Sequence, residues 1–267
     1  LAPFGVGTVD QAFLSILQTR HFFLRLFGLS HKTVIFDEVH AYDTYMNALF
    51  YRLLRWLRGA GTSVIILSAT LPAKDRKALL EAYAGAAADA SPDVTYPAMS
   101  WATEGQVGTI PLQAPENRTV MLEWIERSPE SIADLLAHRL KGGGCAAVIC
   151  NRVRRSQEVY RALKKAQIVP KEDLILFHAR FPSMWRDDIE ERVLSRFGKD
   201  AGDRPHKAIV VATQVIEQSL DLDFDLMISD HAPVDLLLQR AGRLHRHQRQ
   251  ERPVLLSQPH LLVTRPM

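Results

Sequence analysis

The chain has 267 residues, 47% of them hydrophobic and 24% charged, proportions of a folded globular protein that exclude wholesale disorder. Its formal charge of +3 is compatible with a nucleic-acid partner and too small to establish one. No apolar run reaches the roughly 18 residues of a membrane span, and residues 1–11 lack the basic start and cleavage site of a signal peptide, so a cytoplasmic protein with no membrane association is expected.

The chain starts on Leu1 inside a run, A-P-F-G-V-G-T-V-D-Q, with the look of an interior motif, so a fragment is expected. Residues 10–27 carry a thick apolar stripe (Phe13, Leu14, Ile16, Leu17, Phe22, Phe23, Leu24, Leu26, Phe27), which predicts one largely buried helix closed by Gly28. Thr33, Val34, Ile35 and Phe36 are β-branched or aromatic and suit a strand buried on both faces of a parallel sheet. Residues 44–58 repeat apolar positions at helical spacing, with Gly59 and Gly61 as breakers. A second buried strand is expected over 62–67, ending in S-A-T-L-P, and a helix over 74–84.

From Gly85 the composition shifts to Ala, Ser, Pro and Gly, and no helix is expected before Asn117. The expected domains are 1–117 and 118–267. Residues 118–124 read either as a strand closing the first domain or as the linker, and the residues alone leave both open. A second alternation follows: helix 131–141, strand 145–150, helix 154–165, strand 174–177, helix 184–197, strand 207–213, strand 224–229 and helix 234–244. Strand and helix alternating in this way predict a parallel sheet with crossover connections, twice over. Cys145 and Cys150 fall on one strand at an odd spacing, so their side chains point to opposite faces and read as reduced core residues.

Two carboxylates, Asp37 and Glu38, directly follow the 33–36 strand. In an open α/β sheet, ligands sit outside the carboxyl ends of the strands, and an acid pair there suits one group holding Mg²⁺ and the next orienting an attacking water. A solvated acidic turn is the alternative for these residues taken alone. Ser68 and Thr70 end the neighbouring strand. In the second domain a strand delivers Thr213 and Gln214, followed by Glu217, Gln218, Ser219 and Asp221. Then comes Q-R-A-G-R-L-H-R, in which Gln239, Arg243 and Arg246 would share one face of a helix. Planar guanidiniums so aligned suit a polyphosphate, or else form a solvated basic face.

The ordered series G-T-V-D-Q, D-E-V-H, S-A-T, A-T-Q-x-x-E-Q-S-L-D and Q-R-x-G-R-x-x-R resembles the motif series of superfamily-two helicases. The fuller forms D-E-V-H-A-Y-D, I-C-N-x-V, F-H-A-R-F-P and D-H-A-P-V-D-x-L-L-Q-R-A-G-R-L-H-R are similar to the helicase part of the CRISPR-associated helicase-nuclease of type I systems, over residues 3–247. The resemblance implies an α/β fold of two RecA-like parallel-sheet domains in tandem, the first truncated at its N-terminus. It implies ATP and Mg²⁺ as cofactors, and single-stranded DNA and the RNA-guided CRISPR surveillance complex as partners. It also implies an HD nuclease domain upstream in the parent chain.

Residue by residue, the resemblance gives Thr8 and Gln11 a grip on the single strand. Asp37 would hold Mg²⁺, Glu38 would activate water, and His40 would link the nucleotide site to the second domain. Ser68 and Thr70 would couple hydrolysis to strand movement. Asn151 would contact the strand, although Arg152 stands where threonine is common. Thr213 and Gln218 would touch the DNA backbone, while Asp221 would meet the ribose or steady an arginine. Gln239, Arg243 and Arg246 would close over the triphosphate.

The chain departs from the family in two places. It contains no G-x-x-x-x-G-K-[ST] loop to cradle phosphates and no H-D pair for a metal-dependent nuclease. The expected activity is therefore an ATP-driven single-strand DNA translocase in the parent protein and an inactive fragment alone. The alternatives are a non-catalytic nucleic-acid-binding remnant, or another helicase of this superfamily acting on RNA.

Overall fold

The computed structural model describes residues 4–17, 19–39, 44–68, 71–85, 97–114, 118–199, 204–217, 220–249 and 251–266. The chain forms two compact units, Leu1–Asn117 and Arg118–Met267.

In the first unit the core is built on α3 (Thr44–Gly59), whose apolar spacing buries Phe50, Leu53, Leu54 and Leu57. Phe50 meets Phe36 edge-on at 4.9 Å and Phe13 at 6.3 Å, an arrangement that aromatic quadrupoles favour. The expected helix over 10–27 is two helices, α1 (Val9–Phe13) and α2 (Phe22–Leu29), with His21 in the left-handed region at φ 64° before the second. The stripe is too broad for one straight helix to bury. The break lets Phe13 and Ile16 enter the core while Leu26 and Leu29 approach it from α2. Gly28 lies inside α2, and Ser30 ends it.

Strands β1 (Thr33–Phe36) and β2 (Ser63–Ile66) pair in parallel. They are not buried on both faces as expected: Ile35 is 59% exposed and Ile65 44%, because helices cover only the side that carries Phe36. After β2 comes α4 (Ala73–Ala84), capped by Gly85 at φ 77°. The stretch expected to lack helix does lack it among its described residues, and it holds an antiparallel hairpin, β3 (Ala98–Thr103) and β4 (Gln106–Pro111).

The second unit is a six-stranded, all-parallel sheet. Its strands are β5 (Met121–Ile125), β6 (Gly144–Ile149), β7 (Leu174–Phe177), β8 (Lys207–Ala212), β9 (Leu226–Ser229) and β10 (His260–Thr264), in the order β5-β10-β9-β6-β8-β7. The segment left open at the boundary is thus the edge strand of this sheet, paired with β10 from His260↔Met121 onward. Strand β10 had no counterpart among the expected elements. Helices α5 (Pro129–Arg139) and α6 (Val153–Ala166) cover one face, and α7 (Ser183–Phe197) and α8 (Val234–Ala241) cover the other. Ser128 caps α5, its hydroxyl oxygen accepting the Ser131 N–H. Cys145 packs in one of these cores and Cys150 in the other. Both are free thiols, pushed up to about 12 chiefly by burial. Among the described residues no helix is long and apolar enough to cross a membrane.

Candidate functional site

At the end of β1 the Leu67 N–H donates to Phe36 O at 2.9 Å and the Val39 N–H donates to Leu67 O at 3.4 Å. These bonds set the Asp37–Glu38 turn beside Leu67 and Ser68, at the carboxyl ends of two parallel strands. Asp37 Oδ1 accepts the Glu38 N–H at 3.0 Å, and Glu38 sits at φ 56°, a left-handed conformation costly for a residue with a side chain. Both acids are exposed. Among the described residues no cluster of three or more His, Cys, Asp or Glu could hold a metal unaided. An exposed acid pair still fits Mg²⁺, which takes one or two carboxylates and completes its shell with phosphate oxygens and water. Thr8 and Gln11 are exposed one turn apart at the start of α1, which Phe13 anchors in the core. His40, Thr70 and Gln218 lie outside the described residues.

The expected common helical face for Gln239, Arg243 and Arg246 is not formed. Helix α8 stops at Ala241 with Gly242 as its cap, and Leu244 leaves the helix to bridge Phe224 in the core. The Phe224 N–H donates to Arg243 O at 2.9 Å and the His245 N–H donates to Phe224 O at 3.0 Å. Arg243 is buried and turned inward, donating to Gln239 O at 3.1 Å and to Glu217 O. Arg246 projects outward and is held by Asp221, with Nε 2.6 Å from Oδ1.

Sequence reasoning passed over Arg240, the largest fully buried side chain among the described residues. Its Nε lies 2.7 Å from Glu217 Oε1, one terminal nitrogen donates to Ser229 Oγ at 2.7 Å and Asp230 O at 3.1 Å, and the other reaches Asn151 Oδ1 at 3.4 Å. Asn151 is further occupied: its N–H donates to Asp230 Oδ2 at 3.0 Å and its Nδ2 to His231 O at 2.8 Å. Asp230 also receives Arg155 Nε at 2.9 Å and the Thr264 hydroxyl at 3.3 Å. Asn151 therefore ties the carboxyl ends of β6 and β9 together, and Thr213, at the end of β8, is buried beside them. The available signal was an arginine one residue beyond Gln239, on the helix face turned to the core.

A second set of buried charges lies at the start of β6 and β9. Asp223 and Asp225 collect Arg204, Arg249 and Arg252. Burial alone would raise the Asp223 pKa, but hydrogen bonds from Arg249 and Arg252 and the charge of Arg204 outweigh it and hold the carboxyl below the usual range.

A parallel sheet with helices on both faces, preceded in the chain by a unit whose strand ends in an acid pair, is the RecA-like α/β architecture of helicases. A family model described as CRISPR-associated nuclease/helicase Cas3, C-terminal, matches residues 142–249. The chain is 42% identical to the CRISPR-associated endonuclease/helicase Cas3 of Thermus thermophilus, over 98% of this chain and 32% of that protein. It superposes on a crystal structure of T. fusca Cas3 with ATP at a TM-score of 0.90 and 39% identity, covering all of this chain and 33% of that one. A chain in a CRISPR RNA-guided surveillance complex, pre-nicking, gives 0.85 and 38%, again covering all of this chain and 35% of that one. The chain belongs to the Cas3 nuclease/helicase family. It spans about a third of the length of the curated relatives it matches.

Proposed function

We propose that this chain supplies much of the ATP-driven motor of a cytoplasmic CRISPR effector, one that translocates along single-stranded DNA beside an HD nuclease and docks on an RNA-guided surveillance complex. The observation that carries the reading is the exposed Asp37–Glu38 pair, held on a left-handed turn at the end of a parallel strand in a member of this family. A T. fusca relative crystallised with ATP, AMPPNP and ADP supports nucleotide binding. The relative matched in a surveillance complex supports that partnership.

In this reading Asp37 holds Mg²⁺, which supplies charge neutralisation at the phosphates, and Glu38 orients the attacking water. Arg246 stabilises charge on the transferred phosphoryl group, while Gln239 and Arg243 shape the segment that presents it. Thr8, Gln11 and the chain around Asn151, Thr213 and Gln218 follow the strand, and Ser68 and Thr70 couple hydrolysis to its movement. Because the chain holds no phosphate-cradling loop with its lysine, these 267 residues alone neither bind ATP tightly nor hydrolyse it. The test compares phosphate release by a full-length protein carrying this sequence with release by the isolated chain, with and without single-stranded DNA. Strand-stimulated hydrolysis only in the full-length protein supports the reading. Hydrolysis by the isolated chain, or none by either, overturns it.

A further inference from the structure

The segment D-L-D-F-D, residues 221–225, alternates acids with apolar side chains. Leu222 and Phe224 have no exposure and belong to the core. The three acids meet arginines from the stretch 246–252. Asp223 receives Arg249 Nε at 2.6 Å and Arg252 Nη2 at 2.9 and 3.0 Å on its two oxygens. Asp225 receives Arg252 Nη1, Arg204 Nη2 at 2.9 Å and the Cys145 N–H at 2.7 Å. Arg252 Nη2 also donates to His247 O at 2.8 Å, and Arg249 Nη2 to Gly198 O at 2.8 Å. One guanidinium thus spans two buried carboxylates and the carbonyl next to Arg246, a task for a planar fork that a lysine's point charge does not perform.

The Asp221–Arg246 pair is different in kind. Its side chains are 49% and 44% exposed, and an ion pair so open to solvent is too weak to fix a long arginine by itself. The backbone beneath them is pinned at Phe224–Leu244 by the bridge and at His247 by Arg252, and His247 Nε2 lies 3.1 Å from the same Asp221 oxygen.

We propose that Asp223 and Arg252 are positioning residues for Arg246, the buried cluster setting the 244–249 backbone so that Asp221 can hold the Arg246 guanidinium in one direction. The functional consequence rests on the reading of Arg246 as the phosphate-facing arginine; the positioning itself does not.

Two measurements separate them. In the 267-residue chain, the Arg246 Nε–H resonance in a nitrogen–proton correlation spectrum, assigned with Arg246→Lys, is expected to be sharp and protected. It should be lost in Asp221→Asn and in Arg252→Lys, with the backbone amides of Ala147 and Ile149 in β6 unmoved. Retention of the signal in Arg252→Lys, or its absence from the parent chain, overturns the positioning. Arg252→Lys keeps a cation beside the acids, and if it unfolds the unit, Arg252→Gln with Asp225→Asn, which removes one charge of each sign, is read the same way.

In the full-length protein, Arg252→Lys should lower kcat for ATP about tenfold to a hundredfold, the scale on which a small misplacement acts. In an Arg246→Ala background the same change should cost almost nothing more, since the two act as one unit. Equal losses in both backgrounds mean a merely structural role and overturn the proposal. If the resonance behaves as expected while Arg246→Ala leaves turnover intact, the phosphate reading fails and the positioning stands.

Discussion

Arg240 and Glu217 are joined by an ion pair with the arginine wholly out of solvent and Nε 2.7 Å from Oε1. Each then reaches further, Arg240 to Ser229 and Asn151, and Glu217 through its carbonyl to Arg243. Removing one partner of such a pair strands the other charge, which typically costs about 3–5 kcal/mol. Arg240→Gln and Glu217→Gln should each lower the urea midpoint of the chain sharply. A double substitution to apolar residues of similar volume should recover much of the loss. Single variants with the parent's midpoint would show that the pair carries no such weight.

Glu38→Gln in the full-length protein keeps the shape of the acid and removes its charge. If Glu38 orients water, ATP and DNA binding should stay close to the parent's while turnover falls about 10²–10⁴-fold. Asp37→Asn should instead weaken Mg²⁺-dependent ATP binding. Nucleotide titrations and turnover on the two variants check the division of labour, and equal losses of nucleotide affinity would contradict it.

Arg243 and Arg246 should separate on substitution, because one is buried among main-chain carbonyls and the other projects outward. Arg246→Ala should cut ATP hydrolysis about 10³–10⁵-fold, the range of an arginine finger, with nucleotide-free DNA binding and thermal stability unchanged. Lysine at 246 should not rescue it. Arg243→Ala should lower the melting temperature as well as the rate. Should Arg246→Ala lose DNA binding and keep its hydrolysis per bound strand, Arg246 belongs to the strand track.

Thr8 and Gln11, exposed on the first turn of α1, should contribute to backbone tracking. Binding of single strands by the full-length protein should ignore base sequence and fall steeply with salt, as counterion release requires. Thr8→Ala with Gln11→Ala should weaken all sequences alike. A strong base preference with a flat salt slope, measured by anisotropy, would indicate a different kind of module.

Three titrations contribute to the pH dependence of stability, those of Asp223, His245 and His178, the last lowered chiefly by burial. The folded-state pKa of Asp223 lies below its unfolded value of about 3.9. Its contribution is therefore present above about pH 4 and lost as pH falls through the lowered value. His245 is lowered by burial first and the charge of Arg252 second. Folding therefore disfavours its charged form, and its contribution is full above about pH 6.5 and declines as pH drops below that. Urea midpoints against pH should show a shallow decline starting near 6.5 and a steep one below 4. In His245→Gln the first should shrink to the part contributed by His178, whose pKa burial also lowers, and in Asp223→Asn the second should shrink on a lower baseline.

Much of the second unit could be read directly, because strands buried on both faces, such as Cys-Ala-Ala-Val-Ile in β6 and Ala-Ile-Val-Val-Ala in β8, are near-continuous apolar runs. The hairpin β3–β4 escaped notice because its period-two signal is diluted by alanine, serine and glycine. No proline or glycine marks the break between α1 and α2. What ends the first helix is the demand of Phe13 and Ile16 for the core, a tertiary effect. The same holds for α8: periodicity runs on through Leu244, and only its bridge to Phe224 takes that residue out of the helix. Asp37 and Glu38 could be picked out as acids at a strand end, and Arg246 as a candidate only from an expected helical face that the structure does not form. Arg240, Asp223 and Asp225 could not, since the sequence does not show which charges will find partners inside.

Strand β10 is made from residues 260–264, yet it stands between β5 and β9. On the ribosome, β5 therefore emerges with no neighbour on either side and waits for a partner more than a hundred residues behind it. At about 5–20 residues per second that wait is on the order of ten seconds, during which β5 offers unpaired edges and the apolar faces of Met121, Leu122 and Trp124 to whatever is near. Synthesis of this unit thus has a built-in interval in which a strand that the finished sheet will hold at its rim stands unpaired.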